Sequence, residues 1–277
     1  MVAAVFTSQG VGLLATLAIL IFSGEIGPSQ ESIVWGTLAG ISGVGGLAFF
    51  YLALARGTMG VVAPLAALIG AGLPVLVVII NGESVDVGRL LGIACALTAV
   101  VLISLPGRST TPGEQRALRA TVAQLPVAAL AGIGFAGFFL GIDRASVDGA
   151  TWWPLLFVRL AGFALVMAVF VVLVLRLRGD SVGSREGDRP PVPHPRASGR
   201  SITAILPLFV LTGLGDLGGN AFFVLARHAD AFSVAVVLSS LYPVVTTVLA
   251  TLLLHERLRP MQLAGVVLAT LSVPLLR

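Results

Sequence analysis

The chain contains no lysine; all 17 of its basic residues are arginine. A phosphate-binding loop of the GxxxxGK[ST] type places a lysine on nucleotide phosphates. The chain therefore cannot itself be an ATP-driven pump of that class, and lysine Schiff-base chemistry is excluded as well. Cys95 is the only cysteine, so no internal disulfide can form. His194, His228 and His255 stand far apart without ligand spacing, so neither a metal site nor a cofactor is expected. Charge is scarce too. Only 11% of residues are charged, where a soluble domain carries about 25%.

What the chain has instead is apolar length. It is 57% hydrophobic with a mean hydropathy of +1.02, so most of its surface faces something other than water. The formal charge of +4 does not point to nucleic acid, because the arginines are scattered over short links with no basic stripe interleaved with aromatics. Crossing a bilayer takes about 20 apolar residues per helix. Nine such runs lie at about 2–22, 33–54, 59–80, 88–105, 122–142, 151–175, 204–226, 231–254 and 261–276. The expected fold is an all-α polytopic membrane protein of about nine transmembrane helices. Residues 106–121 and 176–203 are the long links; the second reads RLRGDSVGSREGDRPPVPHPRASGR and is expected to be an exposed loop. The first span has no basic start and no small-residue cleavage site after it, unlike a cleavable signal.

The chain repeats itself at an offset of 173 residues. Gly40 pairs with Gly213, Gly45 and Gly46 with Gly218 and Gly219, and Phe49 and Phe50 with Phe222 and Phe223. Leu52 and Ala53 continue onto Leu225 and Ala226, Glu83 onto Glu256, and Gly92 onto Gly265. Upstream, Phe6 aligns with Phe157, which matches the first span to the sixth. Nothing in the first half matches the span at 122–142, so four spans at 1–105 face five at 122–277. A first helix missing from the first half is the simplest account of that inequality. Halves of five spans lie in opposite orientations, the inverted-repeat plan that places a transport site near the midplane.

The stretch LSSLYPVVTTVLATLLLHERLRPMQLAGVVLATLSVPLL (238–276) resembles the last two helices of an EamA-type domain of the drug/metabolite transporter superfamily. The resemblance rests on Tyr242 and Pro243, a Glu256–Arg257 turn, Gln262 and Gly265, echoed in the first half by Pro74, Gly82, Glu83 and Gly92. It implies ten helices in two inverted five-helix repeats, in the inner or plasma membrane, moving small organic solutes. The expected partners are a small-molecule substrate and the lipid bilayer, with a coupling ion and a homodimer left open.

Two charges lie deep inside spans. Arg159 is about 8 residues into its helix, and Asp216 approaches the same depth, roughly 12 Å, on a helix entering from the opposite face. An unpaired charge there costs at least about 2.5–3.5 kcal/mol, so pairing or a wet cavity is expected. The repeat places uncharged Ser8 and Gly43 opposite them, so both charges occur in one half only. Asn220 lies one turn from Asp216, and Ser239, Ser240, Tyr242, Thr246 and Thr247 form a polar stripe on a neighbouring span. The candidate substrate-binding set is therefore Arg159, Asp216, Asn220, Ser239, Ser240 and Tyr242, against the plainer reading of a salt bridge that locks two helices. Trp152 and Trp153 read as interface anchors. Glu83 and Glu256 read as turns before helix starts, and the paired glycines as close helix approaches.

Two rival functions stand beside transport. Residues 213–216 read Gly-Leu-Gly-Asp, the GxGD pattern of intramembrane aspartyl proteases, but the facing second carboxylate would have to be Asp143, at a helix end beside Arg144. A non-transporting scaffold or partner subunit is the other.

Orientation follows from the arginines. Alternate links hold 12 on one side, including those at 106–121 and 176–203, against 4 on the other. The arginine-rich links are expected in the cytoplasm, opposite to the usual drawing of ten-helix members. A cysteine placed at Ser198, with Cys95 replaced, should resist an impermeant maleimide in intact cells; ready labelling from outside reverses the assignment.

Overall fold

The protein is described by a computed structural model over residues 2–57, 59–82, 86–104, 122–183, 202–229, 232–254 and 259–276. Every regular element in these residues is a helix. They are α1 (Val2–Ser23), α2 (Gln30–Arg56), α3 (Met59–Ile80), α4 (Val87–Ser104) and α5 (Leu125–Ala145). The second group is α6 (Trp152–Gly183), α7 (Ile202–His228), α8 (Phe232–Ser240), α9 (Tyr242–Leu254) and α10 (Pro260–Leu275). Among the described residues, six helices are long and apolar enough to cross a membrane. Leu, Phe and Val side chains stand exposed along them, as lipid contact requires. The protein is an all-α polytopic membrane protein.

Two elements depart from the expected spans. The run at 231–254 is broken into α8 and α9 at Leu241. Pro243 has no N–H for the carbonyl of Ser239, and its ring crowds that carbonyl. The chain turns there through tighter bonds, from Leu241 N to Leu238 O (3.1 Å) and from Val244 N to Leu241 O (2.9 Å). Second, α6 runs on to Gly183, eight residues into the stretch expected as a loop. Leucine and arginine alternate just past the apolar run and both favour helix, while long arginine side chains let a helix emerge from an apolar layer. The 106–121 link, residues 184–201, and Glu83, Glu256, Arg257, His194 and His255 lie outside the described residues.

The repeat is visible in the packing. α1 packs on α7 and, equivalently, α2 packs on α6. α4 packs on α10, its own counterpart. At that seam a side chain on Gly92 would strike Leu276, and one on Gly265 would strike Ile103. Gly92 and Gly265 are repeat equivalents, and so are Ile103 and Leu276. One contact is used twice. Gly40 lies against the backbone carbonyl of Val158, while its counterpart Gly213 lies against that of Ser8. The first helix of the second half, α5, which has no counterpart in the first, lies on α2 and α3. Its backbone at Gly134 meets Gly46, and Phe138 covers Gly43.

Capping fixes the helix ends. Ser29 accepts from Ser32 N at α2 (3.0 Å), and Ser32 Oγ in turn donates to Ala145 O at the end of α5 (3.0 Å). Gln262 accepts from Arg259 N at the start of α10 (3.0 Å). Pro260 opens that helix, where a missing N–H costs nothing.

The glycine contacts are directly testable. A methyl group at Gly40 would meet a backbone carbonyl, which cannot move aside as a side chain can, whereas Gly45 has open space. Gly40→Ala should destabilise the detergent-solubilised protein by roughly 1–3 kcal/mol, and Gly45→Ala should leave its thermal midpoint within a degree or two.

Candidate functional site

Arg159 sits on the eighth residue of α6 and is 2% exposed. Its guanidinium lies flat over Gly12 of α1, where a β-carbon would stand 3.3 Å from Cζ, Nε and Nη1. Nη1 donates to Asp216 Oδ2 on α7 and, at 3.3 Å, to Gln9 Oε1 on α1. The two charges that the sequence places at one depth do meet. Asp216 is 47% exposed, so the pair has one sealed partner and one open one. Nε and Nη2 of Arg159 are buried with no hydrogen-bond partner among the described residues.

Around this pair lies a cavity of about 590 Å³. All six residues of the candidate set line it: Arg159, Asp216, Asn220, Ser239, Ser240 and Tyr242. The α8–α9 break accounts for the last three, since it brings the ends of two half-helices to the cavity wall. Ser240 Oγ donates to Val237 O (2.6 Å), a local bond of the kind such hydroxyls make in apolar surroundings. Thr247 lies further along α9 and is not among the lining residues, and the side chain of Thr246 lies outside those described.

The first half supplies the opposite wall. Gly43, the counterpart of Asp216, lines the cavity, as does Ser8, the counterpart of Arg159. The same offset pairs Leu47 with Asn220 and Ala67 with Ser240, and these four also line it. Equivalent positions of the two halves thus face each other with unlike chemistry. At three of these pairs the second half presents Asp216, Asn220 and Ser240 where the first presents Gly43, Leu47 and Ala67. Ser8, Gln9 and Tyr51 are the polar residues that the first half adds, and Phe135, Phe138 and Phe139 of α5 line the cavity beside Gly43 and Gly70. Sequence reasoning missed Gln9 and this aromatic wall. Gln9 had a signal, being polar within the first span. The phenylalanines had none, since they stand in a run that is apolar throughout.

One end of the bundle is tied. Glu25, in the α1–α2 link, accepts from the backbone N–H groups of Thr151 (2.9 Å), Trp152 (3.1 Å) and Trp153 (3.3 Å). Those are the free donors of the α6 N-terminus, which a carboxylate satisfies in both charge and hydrogen bonding. Asp143, the one acidic residue of α5, binds Arg227 of α7 at 2.8 Å. His228 reaches the carbonyl of Ser146 at 3.2 Å. Asp143 is therefore engaged at the bundle end and does not line the cavity beside Asp216. Trp152 and Trp153 stand at this same end, Trp153 stacked on Phe157 with ring centroids 6.4 Å apart. Ser8, Gln9, Leu47, Tyr51, Leu208 and Thr212 lie in the opposite halves of their helices, so the cavity extends away from the tied end.

The EamA-like transporter family matches residues 190–277, from the link before α7 through α10. Over these residues the chain is similar to that family. They carry Asp216, Asn220, Ser239, Ser240 and Tyr242, and the resemblance seen at 238–276 lies wholly within them. No curated protein matches the chain. A solved crystal structure, described only as that of a protein, matches 99% of this chain and 87% of its own at a TM-score of 0.69. At 17% identity it shows a shared fold and nothing of function. The matched region thus supplies Asp216, Asn220, Ser239, Ser240 and Tyr242 to the cavity, and the residues before it supply Arg159, Gln9 and the phenylalanines.

Stranding either charge has a predictable cost. Arg159→Ala and Asp216→Ala should each reduce thermal stability by a few kcal/mol, below the roughly 3–5 kcal/mol of a fully buried pair because Asp216 is half open. The double variant should recover part of that loss, read as a coupling term in a double-mutant cycle. Strictly additive losses would show that the pair does not hold together in the folded protein.

Proposed function

We propose that this protein is a secondary transporter that moves a small organic metabolite or drug-like solute by alternating access between its two halves. The cavity carries the reading. It is of a size that suits a small organic ligand, it lies between the repeats, and its polar groups converge on a half-buried ion pair. The similarity to the EamA-like transporter family supports the same reading, as does the half-helix break at Ser239–Tyr242, a device that membrane transporters use at substrate sites. In this reading Arg159, Asp216, Asn220, Ser239, Ser240 and Tyr242 bind the solute. The contacts of Glu25, Asp143 and Arg227 keep one end shut while the other is open. The driving force is a solute or ion gradient.

The proposal separates a site from a lock. A pair that only locks two helices leaves the double variant Arg159→Ala/Asp216→Ala active once it is folded. A binding pair does not. Proteoliposomes carrying the wild type, loaded against a small-metabolite extract and read by mass spectrometry, should accumulate a subset of solutes above empty vesicles. The folded double variant should accumulate none of that subset. Absence of any wild-type accumulation, with orientation and folding verified, would overturn the transporter reading.

A further inference from the structure

We infer that the solute is an organic monoanion, a carboxylate on an apolar or aromatic body, and that its carboxylate is received by the unpartnered edge of Arg159. The inference rests on the transporter reading for its meaning, but its test does not. Arg159 spends one nitrogen, Nη1, on both of its partners. Nε and Nη2, the two donors of its side-on edge, are left buried and unbonded among the described residues. A buried donor without an acceptor costs about 1–3 kcal/mol, and more where the group is charged. The edge presents two parallel N–H groups in a plane, the arrangement that matches the two oxygens of a carboxylate.

The remaining walls fix the rest of the molecule. Among the described residues Arg159 is the only basic residue lining the cavity, and it already shares its charge with Asp216. An incoming monoanion that displaces Asp216 matches the one positive charge released, whereas a phosphate dianion would leave a negative charge unbalanced. Beside the polar groups from Asp216 to Ser240, and Ser8, Gln9 and Tyr51 of the first half, the cavity has an apolar stretch of Gly43, Leu47, Phe135, Phe138 and Phe139. A head with one negative charge and an apolar body fits both at once. The edge is covered in this conformation, so the carboxylate reaches it as the guanidinium turns over Gly12. No side chain at Gly12 stands in the way of that turn. Asp216 is then the resident counter-ion that the incoming carboxylate replaces.

Binding in detergent tests this without any transport assay. The probes are phenylacetate and 1-naphthylacetate, with phenylacetamide and 2-phenylethylamine as neutral and cationic relatives, and inorganic phosphate. The carboxylates should bind by calorimetry and raise the thermal midpoint, while the amide, the amine and phosphate should not. Arg159→Lys keeps the charge and loses the edge, and should weaken carboxylate binding at least about tenfold. Asp216→Asn removes the resident competitor, so carboxylates should bind it more tightly than the wild type. Should Asp216→Asn not fold, the wild-type comparison of acid with amide still decides. Equal binding of amide or amine, indifference to Arg159→Lys, or no carboxylate binding at millimolar concentration would overturn the inference. Arg159-dependent carboxylate binding without flux would instead sink the transporter reading and leave the anion site standing. Flux of other solutes without carboxylate binding would do the reverse.

Discussion

A guanidinium buried in an apolar layer is the constraint on which the rest of this molecule turns. Without a partner the charge of Arg159 would be among the most costly features in the bundle. Its position obliges α7 to bring Asp216 within reach and α1 to present Gln9 and the bare surface of Gly12. The contacts that join α6 to α1 and α7 are therefore polar at the centre and apolar around it. Three helices from both halves converge on one side chain, and the cavity is the space left beside them.

The charge constraint also explains what could be read from the sequence and what could not. Arg159 and Asp216 were legible because a charge contrasts with twenty apolar neighbours, and the repeat showed that their counterparts lacked it. Asn220, Ser239, Ser240 and Tyr242 followed from helical spacing and from a polar stripe, and the fold brings all of them to the cavity. Phe135, Phe138 and Phe139 could not be separated from lipid-facing phenylalanines by pattern alone; only the packing of α5 across Gly43 and Gly46 turns them inward. Glu25 was silent because a carboxylate in a link has no preferred partner until the start of α6 is placed beside it. The helix break at Leu241 left a trace in Pro243, but unbroken hydropathy at 231–254 concealed it.

Glycine performs different work at different places in the repeat. At Gly40 and Gly213 it lets one backbone approach another across the two equivalent pairs of helices. At Gly215, Gly218 and Gly219 nothing stands within 4 Å of where a side chain would begin, although the counterparts of the last two include Gly46, which is tightly packed under α5. The repeat therefore fixes the backbone more strictly than it fixes the surroundings. Chemistry follows the same rule, since equivalent positions share a place on the cavity and differ in what they present to it.

The α4–α10 seam carries this furthest. Gly92 receives Leu276, and Gly265 receives the residue equivalent to it, so each half offers the other the same knob and the same hole. That is the self-complementary arrangement of a two-fold dimer, in which residue i meets j and j meets i. Here it occurs within one polypeptide. The seam behaves as a subunit interface whose two subunits are held by a covalent tether. Its strength is then set by local concentration rather than by how much protein the membrane contains.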